Sequence, residues 1–245
     1  ILIGGMRLGG GPYTLSEDFD GDGTIEAVEG SPGKATPWTF RSAYFVLDIT
    51  VPDNPVFLGE FTDPNLAFTT SYPAVSRLEA TKGFQNPEDD EWYVIVGSGP
   101  TTCDGDGAAN AYLMMYDLNT MQQVQKTATA EGDAFLADPI TIDINLNYAT
   151  ELVYIGETYD AGTLGKMYRL SPCNTDDPAV FSYKYNPAVD PWPMTSLFSS
   201  PRPITSSPTA SLDEDENVWV YFGTGKTFEK AARKTTADSV MKEGA

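Results

Sequence analysis

Residues 92–99 read WYVIVGSG, a β-branched and aromatic run closed by glycine. Runs of the same kind occur at residues 1–5, 152–156 and 218–225, so the chain holds four copies. β-branched and aromatic residues favour strands, and glycine commonly marks the turn that follows a strand. Self-similarity of this kind is the sequence signature of a repeat architecture.

Two further strand types recur around these runs in a fixed order. One begins beside a proline that follows a nearby serine or aspartate, at Pro73, Pro139 and Pro208. The other ends in a polar turn and covers residues 43–48, 111–117 and 165–170. The prolines recur at intervals of roughly 60 to 70 residues, which is longer than the repeat of a minimal propeller blade. Long loops between the strands would account for the excess.

Short strands, many glycine and proline turns and little 3.6-residue apolar periodicity predict an all-β protein with antiparallel sheets. Radial repetition favours a β-propeller over a sandwich. Residues 1–245 are predicted to form part of one propeller domain with about three to four blades, whereas complete propellers have roughly four to eight. Further blades are expected before Ile1 or after Ala245. Residues 227–245 are expected to be a polar tail or linker.

Composition argues against several function classes. The 245 residues include 35 acidic and 15 basic ones, a formal net charge of -20, which disfavours binding to nucleic acid or anionic lipid. No run approaches the ~20 apolar residues of a membrane span, so membrane insertion is not expected. The chain has no histidine, the most common general base, and an enzyme is therefore not predicted.

The two cysteines, Cys103 and Cys173, lie far apart and form no CxxC motif, so neither a zinc site nor a haem attachment is indicated. A disulfide between them and two separate buried thiols are equally compatible with the sequence.

Residues 18–29, DFDGDGTIEAVE, fit the twelve-position calcium loop at every diagnostic position. Calcium prefers six to eight oxygen ligands, and this spacing arranges oxygens around one point. Gly23 allows the sharp turn at the sixth position. The predicted Ca²⁺ ligands are Asp18, Asp20, Asp22, the Thr24 carbonyl, Glu26 and Glu29. Glycines and prolines flank the loop, so residues 10–40 are predicted to be an EF-hand-like insertion between two strands of one blade.

A weaker version of the pattern occurs at residues 143–151. Oxygen-bearing side chains recur with calcium spacing at Asp143, Asn145, Asn147 and Glu151. Tyr148, however, occupies the place where a shorter loop would have glycine. A calcium site and a polar turn are equally compatible with this stretch.

Several of these segments resemble the C-terminal propeller of the PilY-type type IV pilus tip adhesins. The similar segments run from residue 1 to about residue 226 and include residues 3–6, 9–11, 45–50, 70–75 and 92–99. Later ones are VYIGE at 153–157, GKMYRL at 165–170 and YFGTGK at 221–226. In that family a calcium loop directly precedes the strand that corresponds to residues 153–157. In this sequence the stretch 143–151, with its incomplete calcium pattern, takes that position. The complete loop at 18–29 is an insertion.

The resemblance implies an extracellular protein at the cell surface or pilus tip, a fimbrium component that supports adhesion, pilus extension and twitching. The implied partners are pilin or minor pilins at the pilus tip and a host or abiotic surface. Two alternatives remain at this point. Quinone-dependent dehydrogenases also use propellers, although no carboxylate constellation beyond the calcium loops supports catalysis. A generic integrin-α-like surface propeller would need more DxDxDG copies at blade spacing.

Overall fold

The structure is a computed structural model that describes residues 1–9, 13–15, 38–78, 90–102, 105–107, 109–172, 187–215 and 217–226. Its secondary structure consists of strands. In chain order these are β1 (Leu2–Gly5), β2 (Tyr13–Leu15), β3 (Trp38–Phe40), β4 (Tyr44–Asp48), β5 (Val56–Phe61), β6 (Ala74–Leu78), β7 (Glu91–Gly97), β8 (Tyr112–Asp117), β9 (Gln123–Ala128), β10 (Phe135–Leu136), β11 (Ile140–Ile142), β12 (Leu152–Tyr159), β13 (Leu164–Leu170), β14 (Met194–Ser200), β15 (Thr209–Leu212) and β16 (Val218–Tyr221).

The strands form four antiparallel sheets in chain order, plus one separate hairpin. The first sheet has the order β1-β4-β5, and the second has the order β6-β7-β8-β9. The third sheet has the order β10-β12-β13-β14, with β11 also paired to β12, and the fourth is β15-β16. The hairpin β2-β3 lies between β1 and β4 in the chain. The prediction of an all-β fold that matches part of a propeller is confirmed.

The three proline positions begin equivalent strands, as the repeat predicts. Pro73 directly precedes β6, Pro139 precedes β11 and Pro208 precedes β15. Each of these strands pairs with the aromatic and β-branched strand that follows it in the chain, namely β7, β12 and β16. Proline lacks a backbone N–H, so the first residue of a strand is one of the few places in a sheet that tolerates it.

Hydrogen bonds join corresponding positions of the second and third sheets. The Ser71 hydroxyl donates to the Ala137 carbonyl at 2.9 Å, and the Tyr72 N–H donates to the Asp138 carboxylate at 2.8 Å. Each pair is separated by 66 residues along the chain. The sequence repeat is therefore a structural repeat, and its neighbouring units contact each other just before the strands β6 and β11.

Apolar side chains fill the space between neighbouring sheets. Along β7, Val94 and Val96 pack in a cluster with residues of the first sheet, whereas Tyr93 and Ile95 pack in a cluster with residues of the third. Alternate residues of a strand point to opposite faces of its sheet. A strand that is buried on both faces therefore reads as a continuous apolar run, which is what residues 93–96 show.

The glycines of the repeated run were expected to mark turns, but in the structure they allow close packing. Gly156 lies inside β12 and does not end it. A Cβ atom on Gly156 would lie 2.4 Å from Cγ2 of Ile204, and one on Gly97 would lie 2.4 Å from Cβ of Leu136. In both places a side chain from a later part of the chain, Ile204 or Leu136, packs directly against the glycine. A larger residue would therefore not fit unless that neighbour moved.

Candidate metal-binding site

Two groups of predicted site residues lie outside the part of the chain that the structure describes. They are the calcium loop at residues 18–29, with Asp18, Asp20, Asp22, Thr24, Glu26 and Glu29, and the cysteines Cys103 and Cys173. The calcium loop and the disulfide remain predictions.

The second candidate loop, residues 143–151, is described and joins β11 to β12. Its ends are held together where Ile142 pairs with Leu152 and where the Glu151 N–H donates to the Ile142 carbonyl at 3.0 Å. The loop is therefore a hairpin connection at one end of the third sheet.

Asp143 organises the middle of the loop by accepting two backbone hydrogen bonds. Its Oδ1 atom accepts from the Asn147 N–H at 3.1 Å, and its Oδ2 atom accepts from the Tyr148 N–H at 2.7 Å. Carboxylates at the start of a loop commonly bind backbone N–H groups further along in this way. The result is a chain segment that curves around the Asp143 side chain.

The two asparagines extend the same arrangement. The Asn145 side-chain oxygen accepts from the Asn147 N–H at 3.1 Å. The Asn147 side-chain oxygen accepts from the Ala149 N–H at 2.7 Å. Each predicted oxygen donor is thereby oriented by the backbone of its own loop.

Glu151 closes the loop from its other end. The residue is fully buried, with 0% exposure. Its Oε2 atom accepts from the Ile144 N–H at 2.8 Å, and its Oε1 atom accepts from the Asn145 side-chain amide at 3.2 Å. The structure therefore brings the four residues predicted from spacing, Asp143, Asn145, Asn147 and Glu151, into one hydrogen-bonded loop.

Two residues of the loop have a left-handed backbone. Leu146 has φ of 59° and Tyr148 has φ of 67°, and their side chains are 79% and 76% exposed. Tyr148 thus adopts the conformation that the sequence pattern would assign to glycine, at a cost on the order of 1 kcal/mol. The loop retains the curved shape despite the missing glycine.

The donor set is compatible with a hard divalent cation. It comprises two carboxylates and two amide oxygens, the ligand chemistry that Ca²⁺ prefers. Each oxygen already accepts a hydrogen bond, but carboxylate and amide oxygens have further lone pairs available for a metal. Among the described residues, no group of three or more His, Cys, Asp or Glu side chains is placed to hold a metal ion. The candidate site therefore combines the two carboxylates with the amide oxygens of Asn145 and Asn147.

A second cluster of charged groups lies in the third sheet and in the segment between β9 and β10, and it is not evident from the sequence. Glu157 in β12 is fully buried, and its Oε2 atom accepts from the Tyr168 hydroxyl at 2.9 Å. Its Oε1 atom has no hydrogen-bond partner among the described residues. Lys166 forms an ion pair with Glu131 nearby, and its ammonium lies 5.2 Å from the centre of the Tyr159 ring.

Burial raises the pKa of the Glu157 carboxyl above its ordinary value. Hydrogen bonds from Thr129 and Tyr168 and the positive charge of Lys166 offset part of this effect. Burial, with the charge and hydrogen bond of Glu157, also raises the pKa of the Tyr168 hydroxyl. This cluster links β12 and β13 to the segment that follows β9.

Among solved structures, the chain is similar to the crystal structure of the Pseudomonas aeruginosa PilY1 C-terminal domain, with a TM-score of 0.64 and 22% sequence identity. The match covers 94% of this chain and 42% of that chain. This chain therefore has a PilY1-like fold and spans less than half the length of that neighbour. No family model and no curated protein matches the chain. Within the described part of the chain, no helix has the length and apolar composition needed to span a bilayer.

Proposed function

We propose that this chain is part of a calcium-binding surface propeller that acts by binding and assembly and not by catalysis. The observation that carries the proposal is the convergence of Asp143, Asn145, Asn147 and Glu151 in one hydrogen-bonded loop. The loop lies directly before β12, whose sequence resembles the strand that follows the calcium loop in PilY-type propellers. The PilY1-like fold supports the same family context.

Calcium would supply a positive charge that offsets the two carboxylates of the loop. Asp143 and Glu151 would hold the ion from the two ends of the loop, and Asn145 and Asn147 would add neutral oxygens. Because the loop connects β11 to β12, occupancy would stiffen the end of the third sheet. Residues 18–29 would form a second calcium site if the predicted twelve-position loop binds the ion.

We further propose an extracellular location at the cell surface or pilus tip, with pilin or minor pilins as assembly partners and a host or abiotic surface as adhesion target. This part of the proposal depends on the resemblance of the repeated segments to PilY-type adhesins. The net charge of -20 suits an exposed protein that stays soluble and binds cations.

Site-resolved hydrogen exchange tests calcium binding at the loop. Calcium is expected to increase the protection of the peptide that spans residues 143–151, with half-maximal effect on the order of 0.1–1 mM, as in extracellular calcium modules. The double variant Asp143→Asn with Glu151→Gln removes both carboxylates and is expected to abolish that protection. Glu214→Gln with Asp215→Asn is the matched control, because it removes two exposed acidic groups from the corresponding turn of the fourth sheet.

Protection that does not depend on calcium in the wild-type chain would refute the metal site. Equal loss of calcium-dependent protection in the control variant would show a general charge effect and would also refute it. The assembly role is tested separately by binding of the chain to purified pilin and minor pilins with calcium and with a chelator. Binding that is absent in both conditions would contradict the proposed partners.

A further inference from the structure

Arg77 connects the second sheet to the loop at residues 143–151 of the third sheet. Its Nη1 atom donates to the carbonyl oxygen of Tyr148 at 3.0 Å and, over a longer distance of 3.4 Å, to that of Asn147. The backbone carbonyl of Arg77 accepts from the Thr150 N–H at 2.9 Å. Arg77 of the second sheet thus contacts backbone atoms of the loop at residues 147, 148 and 150.

Asp90 fixes the direction of the Arg77 guanidinium. The Nε and Nη2 atoms of Arg77 lie 2.8 and 2.7 Å from Oδ2 of Asp90. The two side chains are only 14% and 9% exposed. Hydrogen bonds between ionised groups are stronger than neutral ones, and partial burial reduces competition from water. The Nη1 atom is therefore held facing the loop.

Two consecutive peptide groups relay this contact to the candidate ligands. In the first, the Asn147 carbonyl faces Arg77 while the Tyr148 N–H donates to the Asp143 carboxylate. In the second, the Tyr148 carbonyl faces Arg77 while the Ala149 N–H donates to the Asn147 side-chain oxygen. A trans peptide is planar, with its C=O and N–H pointing in opposite directions. Fixing the carbonyls therefore fixes the N–H groups that orient Asp143 and Asn147.

We propose that Arg77, held by Asp90, is a positioning residue for calcium binding by the loop at residues 143–151. The inference rests on the calcium site proposed above and adds that a neighbouring sheet sets its affinity. By linkage, an ion in the loop also strengthens the contact between the second and third sheets, because each arrangement favours the other.

Arg77 also places a positive charge near a cation site, and this effect opposes the positioning effect. Charge alone would make calcium bind more tightly when Arg77 is neutralised and would leave the affinity unchanged in Arg77→Lys. Orienting the loop carbonyls requires the planar guanidinium of arginine, which can bind Asp90 and the loop at the same time. The ammonium of lysine does not reproduce this geometry. Both Arg77→Lys and Arg77→Gln should then weaken binding, so the pair of variants separates the two effects.

The experiment measures the calcium concentration that gives half-maximal protection of residues 143–151 in the full chain. We expect this concentration to rise about tenfold in Arg77→Lys and in Arg77→Gln, as for the loss of one hydrogen bond to a charged group. Asp90→Asn retains the arginine but weakens the ion pair that holds it, and it should give a smaller rise. Without calcium, the amides of Tyr148 and Ala149 should exchange faster in all three variants. Arg202→Lys and Arg202→Gln, at an exposed arginine, are the matched controls.

Unchanged affinity in Arg77→Lys together with tighter binding in Arg77→Gln would show that only the charge matters and would overturn the inference. If calcium protects the wild type but not Asp143→Asn with Glu151→Gln, and the Arg77 variants match the wild type, the calcium site stands and the positioning role fails. If calcium does not protect the wild-type loop, both proposals fail.

Discussion

Glu157 places a carboxyl group in a fully buried position, where one of its oxygens has no hydrogen-bond partner among the described residues. The ionised form loses hydration there, and the Tyr168 hydroxyl and the Lys166 charge compensate only in part. Burial therefore raises the pKa of this carboxyl. Glu157 therefore makes a pH-dependent contribution to the free energy of unfolding, because its carboxyl favours the neutral form in the folded state and not in the unfolded chain.

The sign of this effect follows from proton binding in the two states. Below the ordinary glutamate pKa both states are protonated, so the contribution is fully present. As pH rises from there through the raised pKa, the folded state binds more protons than the unfolded state, and the free energy of unfolding falls. Each unit of pKa increase corresponds to about 1.4 kcal/mol. Glu157→Gln should abolish this fall, as measured by denaturant unfolding across pH, whereas the exposed Glu60→Gln should keep it. Identical pH profiles for Glu157→Gln and the wild type would contradict the expectation.

Gly97 tests the packing role of glycine in the repeated run. A Cβ atom there would lie 2.4 Å from Cβ of Leu136 and 3.2 Å from the Ala137 carbonyl oxygen, and neither atom belongs to a flexible chain end. We expect Gly97→Ala to lower the free energy of unfolding by about 1–3 kcal/mol, as in overpacked cores. Gly132→Ala is the control, because no heavy atom lies within 4 Å of its Cβ position. An equal effect of both substitutions on unfolding by denaturant would argue against the close contact.

The strands show which parts of the fold could be predicted from the sequence. The strands that begin after Pro73, Pro139 and Pro208 and their aromatic neighbours were predicted, because the proline and the β-branched or aromatic run recur together in the sequence. In β7 and β12, burial on both faces also restricts the composition. The outermost strands β5, β9 and β14 were not predicted. They read VFLGEF, QVQKTA and MTSLFSS and are largely exposed, so packing imposes no common pattern on them.

The candidate site was predicted only in part, for a related reason. Ligand spacing is local in sequence, so Asp143, Asn145, Asn147 and Glu151 could be identified together. Arg77 reaches the loop from the second sheet, and Asp90 contacts the loop only through Arg77. Glu157 lies in a strand, where a single polar residue in the sequence resembles a surface position. Contacts of this type depend on how repeats pack, and residue spacing within one repeat does not show them.

Calcium binding by the twelve-position loop at residues 18–29 can be tested by hydrogen exchange in the hairpin β2-β3 that flanks it. Leu15 pairs with Trp38 at the end of this hairpin, and residues 18–29 lie in the chain between those two strands. Without calcium, the five carboxylates of the loop would repel one another. Asp20→Ala with Glu29→Ala should therefore raise hydrogen exchange in residues 10–40 and leave β7 and β12 protected, and a chelator should have the same effect on the wild type. No calcium-dependent change in residues 10–40 of the wild type would exclude this loop as a calcium switch.

Stability is expected to differ between the sheets of the molecule, because their cores differ. The second and third sheets share a cluster of fully buried side chains that includes Ile95, Leu113 and Ile155. Among the described residues, the fourth sheet consists of the two strands β15 and β16, and its apolar residues Val218 and Val220 are only partly buried. On the other face of β16, Trp219 and Tyr221 are 55% and 54% exposed. Two-stranded sheets have little stability of their own and depend on the surface against which they pack.

Native-state hydrogen exchange should therefore show local opening of β15 and β16 at a lower free energy than opening of β7 and β12. Val220→Ala should lower the free energy of opening of the fourth sheet by about 1 kcal/mol through lost apolar burial. Trp219→Ser is the control and should leave the difference between the sheets unchanged, because Trp219 is exposed. Ile155→Ala should instead lower the energy of global unfolding by about 2–5 kcal/mol, because it opens a cavity in the shared cluster. Equal protection of β16 and β7 would mean that the four sheets unfold as one cooperative unit, and the proposed difference between the sheets would be wrong.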